Sequence, residues 1–254
     1  MAKVRVGEAV FNISQFVFDK DGLLFESQPF WRELAKTRYD LLKQTCGSVI
    51  AKRWAEVFGV SVRDETVIYT KPSGIFAVAS TREEIAVTAG IISAFLRIPW
   101  VEARKLSESM FEKADENLNL SNALVSAHGF PQIFNRLKEA NVPYCIATSD
   151  TLMRVHDSFA IYDLQLPEVV VTPEMVNKGK PAPDMLKFIE QKSGVPINEM
   201  AMVGDSCVDM QMATFAGAIG IGIPETEEMR KAMEPYASVI INSLDEIEIL
   251  GDIT

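Results

Sequence analysis

Residues 14–22 read SQFVFDKDG, an apolar run closed by Asp19-Lys20-Asp21 and then by the turn-former Gly22. A short apolar segment cut off by a breaker predicts a buried strand that ends at the two carboxylates. Past Phe25 the texture changes. Apolar residues recur at three- and four-residue spacing and predict amphipathic helices over 29–45, 48–59, 81–96 and 99–118, with few strand signals among them. Thr81-Arg82-Glu83-Glu84 has the pattern of a capping box opening the third helix, and Pro99 suits the first turn of the fourth. From Ala123 onward the pattern alternates. Strands are expected over 142–148, 168–172, 199–204, 218–223 and 238–242, and helices over 131–140, 152–163, 183–193, 208–216 and 225–233. Such alternation specifies an α/β fold, a doubly wound parallel sheet covered on both faces, which the strand at 14–19 must rejoin. The helical block is therefore an insertion. Residues 1–24 and 123–254 are expected to form the α/β core, and 25–122 a helical domain.

Composition removes several function classes. The chain has 254 residues, 48% apolar and 24% charged, and is long enough to bury a core without a disulfide or metal staple. Cys46, Cys145 and Cys207 are too few and too scattered for a disulfide framework or zinc knuckle, so a reduced, cytoplasmic setting is expected. The N-terminal MAKVRVGEAVFN lacks the apolar core of a secretion signal, and no segment has the run of about eighteen apolar residues that a spanning helix needs. No membrane role is expected. A net charge of −10 speaks against a nucleic-acid partner. Residues 25–122 carry thirteen basic and thirteen acidic side chains, so the whole excess lies in the remainder. Oligomeric state is not legible.

Chemistry is expected where open parallel sheets bind ligands, beyond the carboxyl ends of the strands. Four expected strands are followed there by unusual polar residues. Asp19 and Asp21 sit two apart in extended chain, so both carboxylates can face one cavity, where they repel unless a cation intervenes or one is protonated. Hard oxygen ligands of this kind suit Mg2+, and one carboxylate can serve as nucleophile while the other donates a proton. Thr148-Ser149-Asp150 offers hydroxyls and backbone amides to a phosphate oxygen, or simply caps the next helix. Gly179-Lys180-Pro181-Ala182-Pro183-Asp184 holds a lysine in a proline-pinned loop that can aim it as a point charge, though alone the segment reads as a surface turn with an ordinary lysine. Gly204-Asp205-Ser206-Cys207-Val208-Asp209 ends a strand and places Asp209 on the helix that follows, where Asp205 or Ser206 also suits as its cap. The four fall in order at the same end of one sheet, a coincidence that the separate readings do not predict.

Together they resemble the motifs of the haloacid dehalogenase (HAD) superfamily: DKDG its nucleophile loop, Thr148-Ser149 its second motif, Lys180 in GKPAPD its third and GDSCVD its fourth. The resemblance implies a Rossmann-like HAD core with the helical insertion as cap, closing over the substrate and setting specificity. It implies that Asp19 attacks phosphorus to form an aspartyl-phosphate, and that Asp21 protonates the leaving oxygen and then activates water. Mg2+ would be held by Asp19, Asp205 and the backbone carbonyl of Asp21, with Asp209 supporting indirectly. Asp19, Gly22, Thr148, Ser149 and Lys180 would contact the phosphoryl group. Asp21 points to a phosphate ester, because the dehalogenase branch lacks this second carboxylate. The sequence departs from the family pattern at Asp150 and at Phe25-Glu26-Ser27.

The reading implied is a Mg2+-dependent phosphatase acting on a small phosphorylated metabolite. The alternatives are a phosphomutase resembling β-phosphoglucomutase and a catalytically idle binding protein. His128 and His156 read as structural or surface residues, and one of Arg53, Lys71, Arg97 and Arg104 is expected to reach the substrate.

Overall fold

The structure, a computed structural model, describes residues 1–72 and 74–252. The chain divides into two units, Met1–Glu26 with Ser126–Thr254, and Ser27–Val125.

The first unit is built on a parallel sheet of β3 (Gln15–Phe18), β6 (Tyr144–Ala147), β7 (Val170–Val171), β8 (Met200–Gly204), β9 (Ile219–Gly222) and β10 (Val239–Ile240), in the order β10-β9-β8-β3-β6-β7. The 16–18 segment is therefore central, paired with β6 on one side and β8 on the other. Every residue of β3 and β8 is buried, as expected for strands covered on both faces. Alternate side chains serve opposite faces. Val17 joins Met185, Leu186, Ile189, Met200 and Met202, whereas Phe18 packs on Phe134 with ring centroids 5.4 Å apart. The helices α7 (Gln132–Glu139), α8 (Leu152–Ile161), α9 (Asp184–Ser193), α10 (Cys207–Ala216) and α11 (Glu227–Met233) alternate with these strands. This is the doubly wound α/β fold.

A second sheet in the same unit was not anticipated from the sequence. β1 (Ala2–Val6) lies antiparallel between β2 (Ala9–Ile13) and β11 (Ile247–Asp252). Its central strand alternates buried and exposed residues, which is the period-2 signature of a half-buried strand.

The second unit contains α1 (Ser27–Cys46), α2 (Ser48–Phe58), α4 (Thr81–Leu96) and α5 (Trp100–Glu116), with the short helices α3 (Ile75–Val78) and α6 (Leu120–Ala123). Trp54 lies in its core, stacked on Phe58 at 4.6 Å and donating its indole N–H to Thr88 Oγ1 at 3.0 Å. Three expectations are corrected here. The segment after α2 is a hairpin of β4 (Val60–Arg63) and β5 (Thr66–Thr70). The capping box of α4 sits one residue earlier than Thr81. Ser80 is the cap, its hydroxyl accepting from Glu83 N at 3.4 Å while its own N–H donates to Glu83 Oε2 at 2.9 Å. Pro99 likewise precedes α5 as its cap residue, not as its first helical residue.

Among the described residues no helix is long and apolar enough to cross a membrane. Cys46, Cys145 and Cys207 are free thiols.

Candidate active site

The carboxyl ends of β3 and β8 are held side by side, with Asp19 N–H donating to Val203 O at 2.9 Å. That pairing sets Asp19 and Asp205 next to one another, although 186 positions separate them in the chain. Carboxylate oxygens of Asp19, Asp205 and Asp209 lie within 4.8 Å of each other. Asp209 belongs to the group because α10 starts at Cys207, directly after the strand. Ser206 caps the helix, and its backbone N–H and hydroxyl donate to Asp209 Oδ2 at 3.2 and 2.5 Å. The capping role and the site role thus coexist in one loop.

Lys180 enters this group from the loop before α9. Its side chain is 1% exposed, and Nζ lies 2.8 Å from Asp19 Oδ1 and 2.6 Å from Asp209 Oδ1. Both oxygens of Asp209 are thereby engaged by protein partners, which makes it a support for Lys180 and for the start of α10. Two glycines give the carboxylates room. Gly22 adopts φ +81°, and a Cβ there would stand 2.1 Å from Asp205 Oδ2. A Cβ at Gly204 would stand 2.4 Å from Asp209 Cγ.

The electrostatics follow from three buried acids facing one lysine. Burial, then repulsion from Asp209 and Asp21, push the Asp19 carboxyl up to about 7 against the pull of Lys180. Burial and the Asp19 and Asp209 carboxylates hold Asp205 well above the usual range. Burial works to lower Lys180, but Asp19 and Asp209 overcome it and hold its ammonium in the charged form. A desolvated cluster with more anionic groups than cationic ones favours a divalent cation. The hard oxygen donors of Asp19 and Asp205 fit Mg2+ by number, chemistry and proximity.

Asp21 lies apart from this trio. Its Oδ1 accepts from Lys20 Nζ at 2.5 Å, and burial raises its carboxyl despite that lysine. Lys20 also reaches Asp150 Oδ2 at 3.0 Å. The sequence assigns no role to Lys20 and marks Asp150 only as a departure from the family pattern. The structure ties both to Asp21.

Thr148 is buried at the end of β6, while Ser149 is exposed. Thr148 does not cap α8; Thr151 does, accepting from Arg154 N at 3.4 Å. Thr148 Oγ1 instead accepts from Asp150 N at 3.1 Å. The Gly22 N–H is donated to Phe25 O at 2.8 Å, so what the structure shows for Gly22 is clearance for Asp205. A cleft of about 380 Å³ opens beside Gly22, with Glu26, His128, Glu225 and Asn242 among its walls. The exposed His128 faces Asp245 at 3.0 Å, and His156 is exposed on α8. In the helical unit Arg53 and Arg104 pair with Glu56 and Glu108 on their own helices.

Comparison with known proteins bears on the family and the fold. The haloacid dehalogenase-like hydrolase family model matches residues 13–217. Hexitol phosphatase A of Escherichia coli (strain K12) is 24% identical over 236 residues, spanning 92% of this chain and 93% of that protein. A HAD hydrolase, family IA, variant 3, from Entamoeba histolytica is 20% identical with a TM-score of 0.62, covering 92% of this chain and 95% of its own. A HAD family hydrolase from Deinococcus radiodurans, solved with bound phosphate and sodium, is 19% identical with a TM-score of 0.59, covering 92% and 93%. These structural likenesses show a shared fold.

Proposed function

The chain belongs to the haloacid dehalogenase-like hydrolases, and on that premise we propose that it is a Mg2+-dependent phosphatase of a small phosphomonoester. The observation that carries the proposal is the Asp19–Lys180–Asp205 cluster at the carboxyl end of the parallel sheet, with a second carboxylate, Asp21, two residues from the first.

Asp19 would attack phosphorus with the oxygen that Lys180 does not hold, forming an aspartyl-phosphate. Lys180 neutralises part of the charge that a phosphate dianion brings into an acidic pocket, and Thr148 offers its hydroxyl to a phosphoryl oxygen. Asp21, raised by burial, carries the proton that the leaving oxygen needs, and afterwards takes one from the water that cleaves the intermediate. Mg2+, when bound by Asp19, Asp205 and the backbone carbonyl of Asp21, would supply the charge neutralisation that lets two anions meet. The Ser27–Val125 unit would serve as the cap that selects the leaving group. The name and length match of hexitol phosphatase A support a phosphorylated sugar or sugar alcohol as substrate.

The test is phosphate release from a panel of hexitol and hexose phosphates, with Mg2+ and with EDTA. Turnover should require the metal, and Asp19→Asn should lower kcat by at least about 10³-fold without unfolding the protein. Turnover that survives EDTA or Asp19→Asn overturns the assignment. Isomer interconversion without phosphate release identifies a phosphomutase instead.

A further inference from the structure

Lys20 is the residue between the two site carboxylates, and its side chain is completely buried. Its ammonium stands 2.5 Å from Asp21 Oδ1, 3.0 Å from Asp150 Oδ2 and 5.9 Å from the centroid of the Phe25 ring. Asp150 is anchored in turn. Its Oδ1 accepts from Thr151 N at 2.8 Å and from Arg154 Nη1 at 3.3 Å, and its own N–H donates to Thr148 Oγ1 at 3.1 Å. Burying an ammonium with two carboxyl groups carries a desolvation cost that their attraction need not repay, and apolar side chains of similar volume often serve stability as well. What such side chains do not provide is orientation. The contact to Lys20 engages Oδ1 of the Asp21 carboxyl and restrains its rotation, and Arg154 adds a second positive charge that acts on it.

We propose that Lys20 and Asp150 form a positioning pair that aims the carboxyl of Asp21 at the leaving-group oxygen. The proposal rests on the phosphatase reading above. In the step concerned, a bond forms between an Asp19 oxygen and phosphorus while the bond from phosphorus to the ester oxygen breaks. The electron pair of that bond stays on the ester oxygen, which takes the proton from the Asp21 carboxyl, and the alcohol departs neutral. Asp150 holds Lys20 from its far side, and through its N–H it couples the aim of Asp21 to the hydroxyl of Thr148.

Leaving-group chemistry tests this. A 4-nitrophenolate departs without help, whereas an alkoxide needs the proton in the transition state. The readout is kcat/KM for an alkyl phosphate relative to 4-nitrophenyl phosphate, since kcat/KM reports the step in which the alcohol leaves. Asp21→Asn serves as the reference. Lys20→Met should lower the alkyl-to-aryl ratio about 10- to 100-fold, in the same direction as Asp21→Asn. Asp150→Asn keeps shape and backbone contacts and should lower the ratio less; it carries the test alone if Lys20→Met does not fold. An equal loss on both esters, or no loss on either, overturns the positioning role. If Asp21→Asn itself leaves the ratio unmoved, the proton-donor reading fails first and the positioning pair falls with it.

Discussion

At the scale of single residues, the site is a problem of fitting negative charge into little space. Gly22 solves the spatial part. Any side chain there meets both the left-handed backbone at φ +81° and the Asp205 carboxylate at 2.1 Å. Gly22→Ala should therefore destabilise the metal-free protein by about 1–3 kcal/mol and weaken Mg2+ binding, read by denaturant unfolding and by calorimetric titration. Unchanged Mg2+ affinity would show that Asp205 does not hold the ion. Lys180 solves the electrostatic part. Lys180→Met leaves three carboxylates facing each other with no cation, and in EDTA it should cost about 3 kcal/mol or more of unfolding free energy. Mg2+ should recover part of that loss. The carboxylates and Lys180 were legible because each follows an expected strand. Lys20 and Asp150 were not, because their meaning is a pairing across 130 positions that no local spacing encodes.

At the scale of elements, long periodic segments were the readable ones. The helices predicted at 48–59 and 81–96 are found at Ser48–Phe58 and Thr81–Leu96. The strands that escaped are short and half-buried. In the hairpin at 60–70 the two-residue turn is Asp64-Glu65, with φ of +48° and +61°. Turns of that shape normally announce themselves as Asn-Gly, and here the signal is missing. β1 and β2 also escaped, although they form a local hairpin signalled by the alternation over 2–6 and a turn at Gly7-Glu8. Only β11, which completes that sheet, comes from the far end of the chain. Two capped helices separate stability from function. Ser80→Ala removes the α4 cap and should cost about 1 kcal/mol while kcat stays put. Ser206→Ala should cost a similar amount and also lower kcat, because Asp209 loses the hydroxyl that holds Oδ2 while Oδ1 grips Lys180. Thermal unfolding and steady-state rates on one phosphate ester check both. Equal kinetic effects would mean that the α10 cap does nothing for the site.

At the scale of the whole molecule, charge is unevenly divided. Residues 27–125 carry thirteen basic and twelve acidic side chains, so the unit that holds the site, with twelve basic and twenty-three acidic, carries −11 and more than accounts for the net −10 of the chain. Its most confined part, the buried carboxylates, makes stability depend on pH in a direction opposite to most paired acids. Asp19 is raised from 3.8 to about 7, and Asp205 is raised as well, chiefly by burial. Between pH 4 and 7 the folded chain therefore holds protons that the unfolded chain has released. Linkage then requires stability to fall as pH rises through that window, by at most about 1.4 kcal/mol per pH unit for each such group. Lys180, raised from 10.5, keeps its charge throughout and contributes no slope there. Urea unfolding in EDTA at pH 4.5, 5.5, 6.5 and 7.5 should show this decline. Asp205→Asn, which removes one raised carboxyl and relieves Asp19, should flatten it. Mg2+, which binds the ionised carboxyls, should raise stability more at pH 7.5 than at pH 4.5, because fewer protons must then be displaced for it to bind. A slope identical in wild type and Asp205→Asn would mean that the two carboxyls do not share a site.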